Sequence, residues 1–237
     1  MPGSVRTRDE VIGVARAGRV LARALRAGVE ACRAGVPPVA VSEVVERSIM
    51  SQGGRVVLRD EGFPGGASIG VNTGVSHAEP GHRPLRAGDL VVIDSAVGLD
   101  GFVADAARAV AVPPASRAAL ALIEGARAVR LAMLRLLTPG RAWGEVATVA
   151  HARAASLGLR IVPGHGGHGL GRRLHEAPSL PLEGSCGVVL EEGMVVTIEP
   201  VVGLVGQRVN EAEGAALECF EEWGVVVEAS GVRILCG

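Results

Sequence analysis

The 237-residue sequence contains no lysine and no tyrosine, and its aromatic rings are confined to Phe63, Phe102, Trp143, Phe220 and Trp223. So few rings leave no platform on which nucleic-acid bases could stack. Arginine carries all the basic charge. The 24 basic side chains are balanced by 25 acidic ones, for a net charge of -1, which excludes a nucleic-acid binder that relies on net positive charge. Cysteine is scarce and dispersed: Cys32, Cys186, Cys219 and Cys236 form no CxxC pair, so neither a zinc ribbon nor a disulfide framework is indicated. A reducing, cytoplasmic setting is the expectation. Long apolar runs of about eighteen residues are missing too, and MPGSVRTRDEVIGVARAG at the start has no signal-peptide core, so no membrane partner is expected. What remains is a chain with 48% hydrophobic and 21% charged residues, enough for a sizeable core, with a small molecule or peptide as the expected substrate.

Apolar residues recur at helical spacing from about Arg8 to Arg33, until Gly35, Pro37 and Pro38 stop the pattern. A shorter helix, VSEVVERSIMSQ, follows and closes at Gly53 and Gly54. The same order returns near residue 116: a long helix with Ser116 as N-cap, broken at Thr138-Pro139-Gly140, and then GEVATVAHARAASLG. Each helix pair precedes strand-like segments and a glycine-rich stretch with histidine, His77 in the first half and His165, His168 and His175 in the second. This predicts one domain over residues 1–237 with an internal duplication, roughly 8–112 and 116–237. Strands are predicted from Leu90, Phe102, Met194 and Val225, which makes the class α+β.

Asp100-Gly101 reads as a two-residue hairpin loop. Counting back through its ladder puts Asp105 opposite Ala96, so that Asp94 and Asp105 project from one face as diagonal neighbours. Two carboxylates on an apolar sheet require either a protonated partner or a cation between them. The plainer reading of such a residue is an edge aspartate facing water. In GHGGHGLGRRLHEAP, His168 is flanked by glycines and His175 lies seven residues on, a spacing that suits one ligand and one separate substrate-facing imidazole, or else a surface turn. Glu199 ends an apolar strand before Pro200, while Glu222 precedes another, with Glu218 and Glu221 competing for any role given to it. Together Asp94, Asp105, His168, Glu199 and Glu222 offer four carboxylates and one imidazole, a set suited to divalent Mn, Fe, Co or Zn, and the four negative charges balance two such ions. Glu199 is the candidate for moving a proton from water to a leaving amine.

Asp94, Asp105 eleven residues later, GHGLG, LHEAP, TIEP and a last glutamate, in that order, resemble the methionine aminopeptidases, most closely their short type I form. AGRVLARAL, Gly62-Phe63-Pro64, Asn72 five before His77, GDLVVID and EASGVRIL extend the likeness along the chain. The resemblance implies a pita-bread fold, in which two pseudo-symmetric halves form a curved antiparallel sheet covered by helices around two metal ions. It implies removal of N-terminal methionine from peptides and nascent proteins, with Asp94, Asp105, His168, Glu199 and Glu222 as metal ligands. His77 and His175 would contact the substrate amide and the transition state, and Glu199 would transfer protons. Phe63 and Leu174 would wall the methionine pocket, with Ser68 where the family often has cysteine. A monomer is expected.

The departures are specific. Ala96 stands where the family has threonine, Ala106 and Ala107 replace threonine-serine, and Glu222-Trp223-Gly224 replaces Glu-His-Thr. The segment between Glu199 and Glu222 is shorter than usual. Lost hydroxyls near metal ligands commonly cost about ten- to hundredfold in affinity or activity. Two alternatives follow: an Xaa-Pro dipeptidase-like enzyme, whose extra N-terminal domain this length does not accommodate, and a non-catalytic member that binds peptide or protein.

Overall fold

The computed structural model describes residues 5–73, 76–184, 186–205 and 217–237. Helix α1 (Arg8–Ala31) starts at a capping box: Thr7 Oγ1 accepts from the Glu10 backbone N–H at 3.3 Å, and the Glu10 carboxylate accepts from the Thr7 N–H at 3.0 Å. Its buried stripe of Ala17, Leu21 and Leu25 packs with α2 (Pro38–Ser51). α1 stops at Ala31, two residues before the periodicity runs out. α2 begins at Pro38, earlier than expected, because a proline at the first helical position lacks only an N–H that has no partner there. In the second half α4 (Arg117–Leu134) is capped by Ser116 Oγ, which accepts from the Ala119 N–H at 3.1 Å, and α5 (Trp143–Ser156) opens on the fully buried Trp143. α3 (Val57–Asp60) is a single turn. Among the described residues, no helix is long and apolar enough to cross a membrane.

The strands are β1 (Arg55–Val56), β2 (Ser68–Val71), β3 (Leu90–Leu99), β4 (Phe102–Ala111), β5 (Leu159–Ile161), β6 (His168–Gly169), β7 (Glu176–Ser179), β8 (Val195–Ile198), β9 (Val202–Leu204), β10 (Glu218–Cys219), β11 (Glu222–Glu228) and β12 (Gly231–Cys236). Nine of them form one antiparallel sheet in the order β1-β3-β4-β11-β8-β6-β7, with β2 added on β3 and β12 on β11, while β10, β9 and β5 form a small second sheet. The expected α+β class is the one observed.

Asp100 and Gly101 both have positive φ, 51° and 81°, as a tight two-residue hairpin requires. That loop pairs Leu99 with Phe102 and therefore Ala96 with Asp105 and Asp94 with Ala107. β11 then joins the halves. It pairs with β4 through Glu222↔Ala107 and Trp223↔Ala106, and with β8 from Trp223↔Ile198 to Val226↔Val195. The apolar interior follows this seam: one cluster lies under α1 and α2, another under α4 and α5, and a third, including Ala96, Val103, Leu170 and Leu174, lies between them.

Candidate metal centre

The sheet carries Asp94 on β3, Asp105 on β4, Glu222 at the first position of β11 and His168 on β6, and Glu199 follows β8 directly. All five line one cavity of about 560 Å³. His168 Nε2 lies 3.4 Å from Asp105 Oδ2, 3.9 Å from Glu222 Oε1 and 4.0 Å from Glu199 Oε1. One ligand atom each from Asp105, His168 and Glu222 falls within 4.8 Å of the other two. The imidazole is aimed: its Nδ1 is 3.0 Å from the Gly169 carbonyl oxygen, which can only accept, so Nδ1 carries a proton and Nε2 is the ring nitrogen turned to the carboxylates. The glycines around His168 serve the backbone. A Cβ on Gly167 would lie 2.2 Å from the Thr197 carbonyl oxygen and one on Gly169 2.1 Å from that of Ala177, so β6 fits between its neighbours only without side chains there.

Burial and mutual repulsion dominate the electrostatics. Burial, then the charges of Asp105 and Glu199, hold the Asp94 carboxyl well above the ordinary range. Glu222 is raised by burial and by Asp105, Glu199 and Asp94. Burial also lifts Glu199, to about 7, although His168 opposes the rise. Burial alone would lower His168, but the hydrogen bond and charge of Asp105 outweigh it and the imidazole rises to about 9. Among the described residues no arginine lines the cavity, and Glu222 Oε1 is buried with no hydrogen-bond partner. Four clustered carboxylates, one aimed imidazole and an orphaned carboxylate oxygen fit divalent cations, which supply the missing positive charge.

The wider pocket takes in the other expected residues. Phe63, Ser68, Leu174, His77 and His175 all line it, and the His175 ring lies 4.5 Å from that of His168. Burial, then the neighbouring His168, holds His175 below the usual imidazole value. The turn carrying His175 is tied down by Glu176, which accepts from the backbone N–H groups of Arg172 and Arg173 at 2.8 Å each and is ion-paired to Arg6. Glu218 and Glu221, rivals of Glu222 in the sequence, are taken by arginines elsewhere: Arg160 at 3.4 Å and Arg130 at 2.6 Å, respectively. His165, Glu61, Glu79, Ser76 and Ser179 also line the cavity and carried no assigned role in the sequence. His165, three residues before His168 in GHGGHG, had a signal; the others became neighbours only through tertiary packing. Ala107 lies directly between Asp94 and Glu222 across the ladder, and Ala96 opposite Asp105. Most of the segment between Glu199 and Glu222 that reads as short, residues 206–216, lies outside the described residues.

The model of metallopeptidase family M24 matches residues 13–234. Methionine aminopeptidase 1 of Mycobacterium tuberculosis is 36% identical over 252 residues, covering 97% of this chain and 93% of the relative. The methionine aminopeptidase of Treponema pallidum is 30% identical over 244 residues, covering 98% and 95%. The crystal structure of methionine aminopeptidase from Rickettsia prowazekii superposes with a TM-score of 0.90 at 25% identity, covering 98% of this chain and 99% of that one. The prolidase from Pyrococcus horikoshii OT3 shares the fold, with a TM-score of 0.83 at 21% identity, but this chain spans only 63% of its length.

Proposed function

The chain belongs to metallopeptidase family M24, among its methionine aminopeptidases, and from that premise we propose that its cavity holds two divalent cations on Asp94, Asp105, His168, Glu199 and Glu222. The protein is a metal-dependent aminopeptidase of the pita-bread fold. Its substrates are peptides and nascent chains that begin with methionine followed by a small residue. The observation that carries the reading is the convergence of four carboxylates and one Nε2-directed imidazole on a cavity in which the described residues place no arginine.

Bound there, divalent ions supply Lewis acidity for amide hydrolysis and lower the pKa of water towards neutrality. Glu199, which follows β8 directly and lines the cavity, is suited to take a proton on a carboxylate oxygen and return it to the leaving amine as the bond between the first and second residues breaks. His175, kept below the usual imidazole value, is neutral at pH 7 and can donate from its ring N–H to the scissile carbonyl, with His77, in a bend between β2 and β3, holding the substrate amide. Phe63 and Leu174 supply apolar surface for the methionine side chain beside Ser68. The metals are Co, Mn, Fe or Zn by donor type. The four cysteines, all free thiols, suit a cytoplasmic monomer, and the matching helix-helix-strand order in residues 8–112 and 116–237 supports a duplicated single domain. A Met-Ala-Ser peptide incubated with the metal-loaded protein should release methionine; absence of turnover with Co, Mn, Fe and Zn alike overturns the proposal.

A further inference from the structure

Glu222 is poorly held from the front. Its Oε1 atom has no hydrogen-bond partner, and β11 pairs with β4 only at Glu222 and Trp223, so this carboxylate stands on the last rung of the ladder. On the side of the sheet turned away from the cavity the arrangement is different. Residues alternate in facing along a strand, and both neighbours of Glu222 are gripped by one guanidinium. Arg130 of α4 pairs with Glu221 at 2.6 Å, each side chain only 1% exposed, and its Cζ lies 3.7 Å from the centre of the Trp223 ring. Arg127 reaches the same Glu221 at 3.5 Å but is half exposed. A buried ion pair stabilises a fold little, because desolvation offsets the attraction, and Arg130 Nε has no partner at all. Fold stability is therefore a weak reason for this cluster.

We propose that Arg130 is a positioning residue for Glu222: by holding Glu221 through its charge and Trp223 through its flat face, it fixes the direction in which the carboxylate between them enters the cavity. The inference rests on Glu222 being a metal ligand. It also accounts for a tryptophan where the resembled pattern has histidine, since a wide ring is the better surface for a guanidinium.

The test uses the full chain and Co(II), followed by its visible absorption and by calorimetric titration. In the double variant Arg130→Met/Glu221→Leu, apolar groups of similar size replace the buried pair, a change that commonly keeps the fold. The metal-free melting temperature should stay near that of the parent, while Co(II) affinity falls about ten- to hundredfold and the absorption band shifts. Parent-like affinity and spectrum in a folded double variant overturn the proposal. Arg130→Lys keeps the charge for Glu221 but not the flat face over Trp223, and it should weaken Co(II) binding by a smaller factor. If the double variant does not fold, parent-like binding by Arg130→Lys overturns the proposal in its place. Glu222→Gln separates the two layers of argument: if it binds Co(II) as the parent does, the ligand assignment itself fails, whereas loss of binding there with none in the double variant removes the clamp alone.

Discussion

The thiol of Cys236 donates to the main-chain carbonyl oxygen of Asp105, with Sγ 3.0 Å away. It occupies the space that Gly224, its partner across the β11-β12 ladder, leaves by having no side chain. Burial pushes this thiol up to about 12, so it remains a protonated donor at physiological pH. The resembled pattern has a hydroxyl at position 224. Here a sulfur from the neighbouring strand braces the backbone of β4 at Asp105.

A Cβ on Gly224 would lie 2.5 Å from that sulfur. Gly224→Ala should therefore destabilise the protein by about 1–3 kcal/mol. Gly224→Ala/Cys236→Ala should recover part of the loss. Denaturant unfolding of the two variants checks this, and equal stabilities would show that the sulfur is not what the methyl group meets.

Asp105→Asn and His77→Ala should fail in different ways. The first removes a charge 3.4 Å from His168 Nε2 and should lower metal stoichiometry or affinity at least about tenfold. The second should leave metal content intact and lower turnover. Elemental analysis beside peptide kinetics distinguishes them, and metal loss in His77→Ala would move that residue into the ligand set.

Ala107 is fully buried and paired with Asp94 on one side and Glu222 on the other. Ala107→Ser puts a hydroxyl between two carboxylates and should tighten Mn(II) binding by up to about tenfold. Unchanged affinity on titration would show that the missing hydroxyl carries no cost in this protein.

Stability of the metal-free chain should fall as pH rises. Glu199 moves from 4.5 to about 7 on folding, so between those values the folded state holds more protons than the unfolded one and stability decreases with pH. Asp94 and Glu222 are raised and act in the same direction. His168, raised from 6.5 to about 9, contributes stability below 6.5 that is lost towards 9. Cations replace those protons, so the gap in melting temperature between metal-loaded and chelator-treated protein should widen from about pH 5 to about pH 9. A constant gap would contradict the electrostatics of the cavity.

The sequence made some of this architecture legible because a few local rules decide it. Asp100-Gly101 sets the hairpin register outright, and the register sets the shared face of Asp94 and Asp105. Thr7 and Ser116 mark helix starts because their hydroxyls meet backbone N–H groups within one turn. The selection of Glu222 over Glu218 and Glu221 depends on arginines 58 and 91 residues distant in sequence, which no local pattern reveals. The same holds for the exchange between Gly224 and Cys236, whose meaning appears only once β12 lies beside β11. The glycines flanking His168 permit close approach to the backbone, and their tightest neighbours are main-chain carbonyls of adjoining strands.

The ladder between β3 and β4 has a further consequence. Sliding one strand by a single residue would turn every side chain of β4 over, sending Asp105 towards the helices while Asp94 stayed where it is. Such a misaligned chain would lack one of the five proposed ligands and gain less from added cation. Metal uptake on the proposed ligands would therefore proofread the hairpin, favouring the correctly threaded sheet over its shifted competitor.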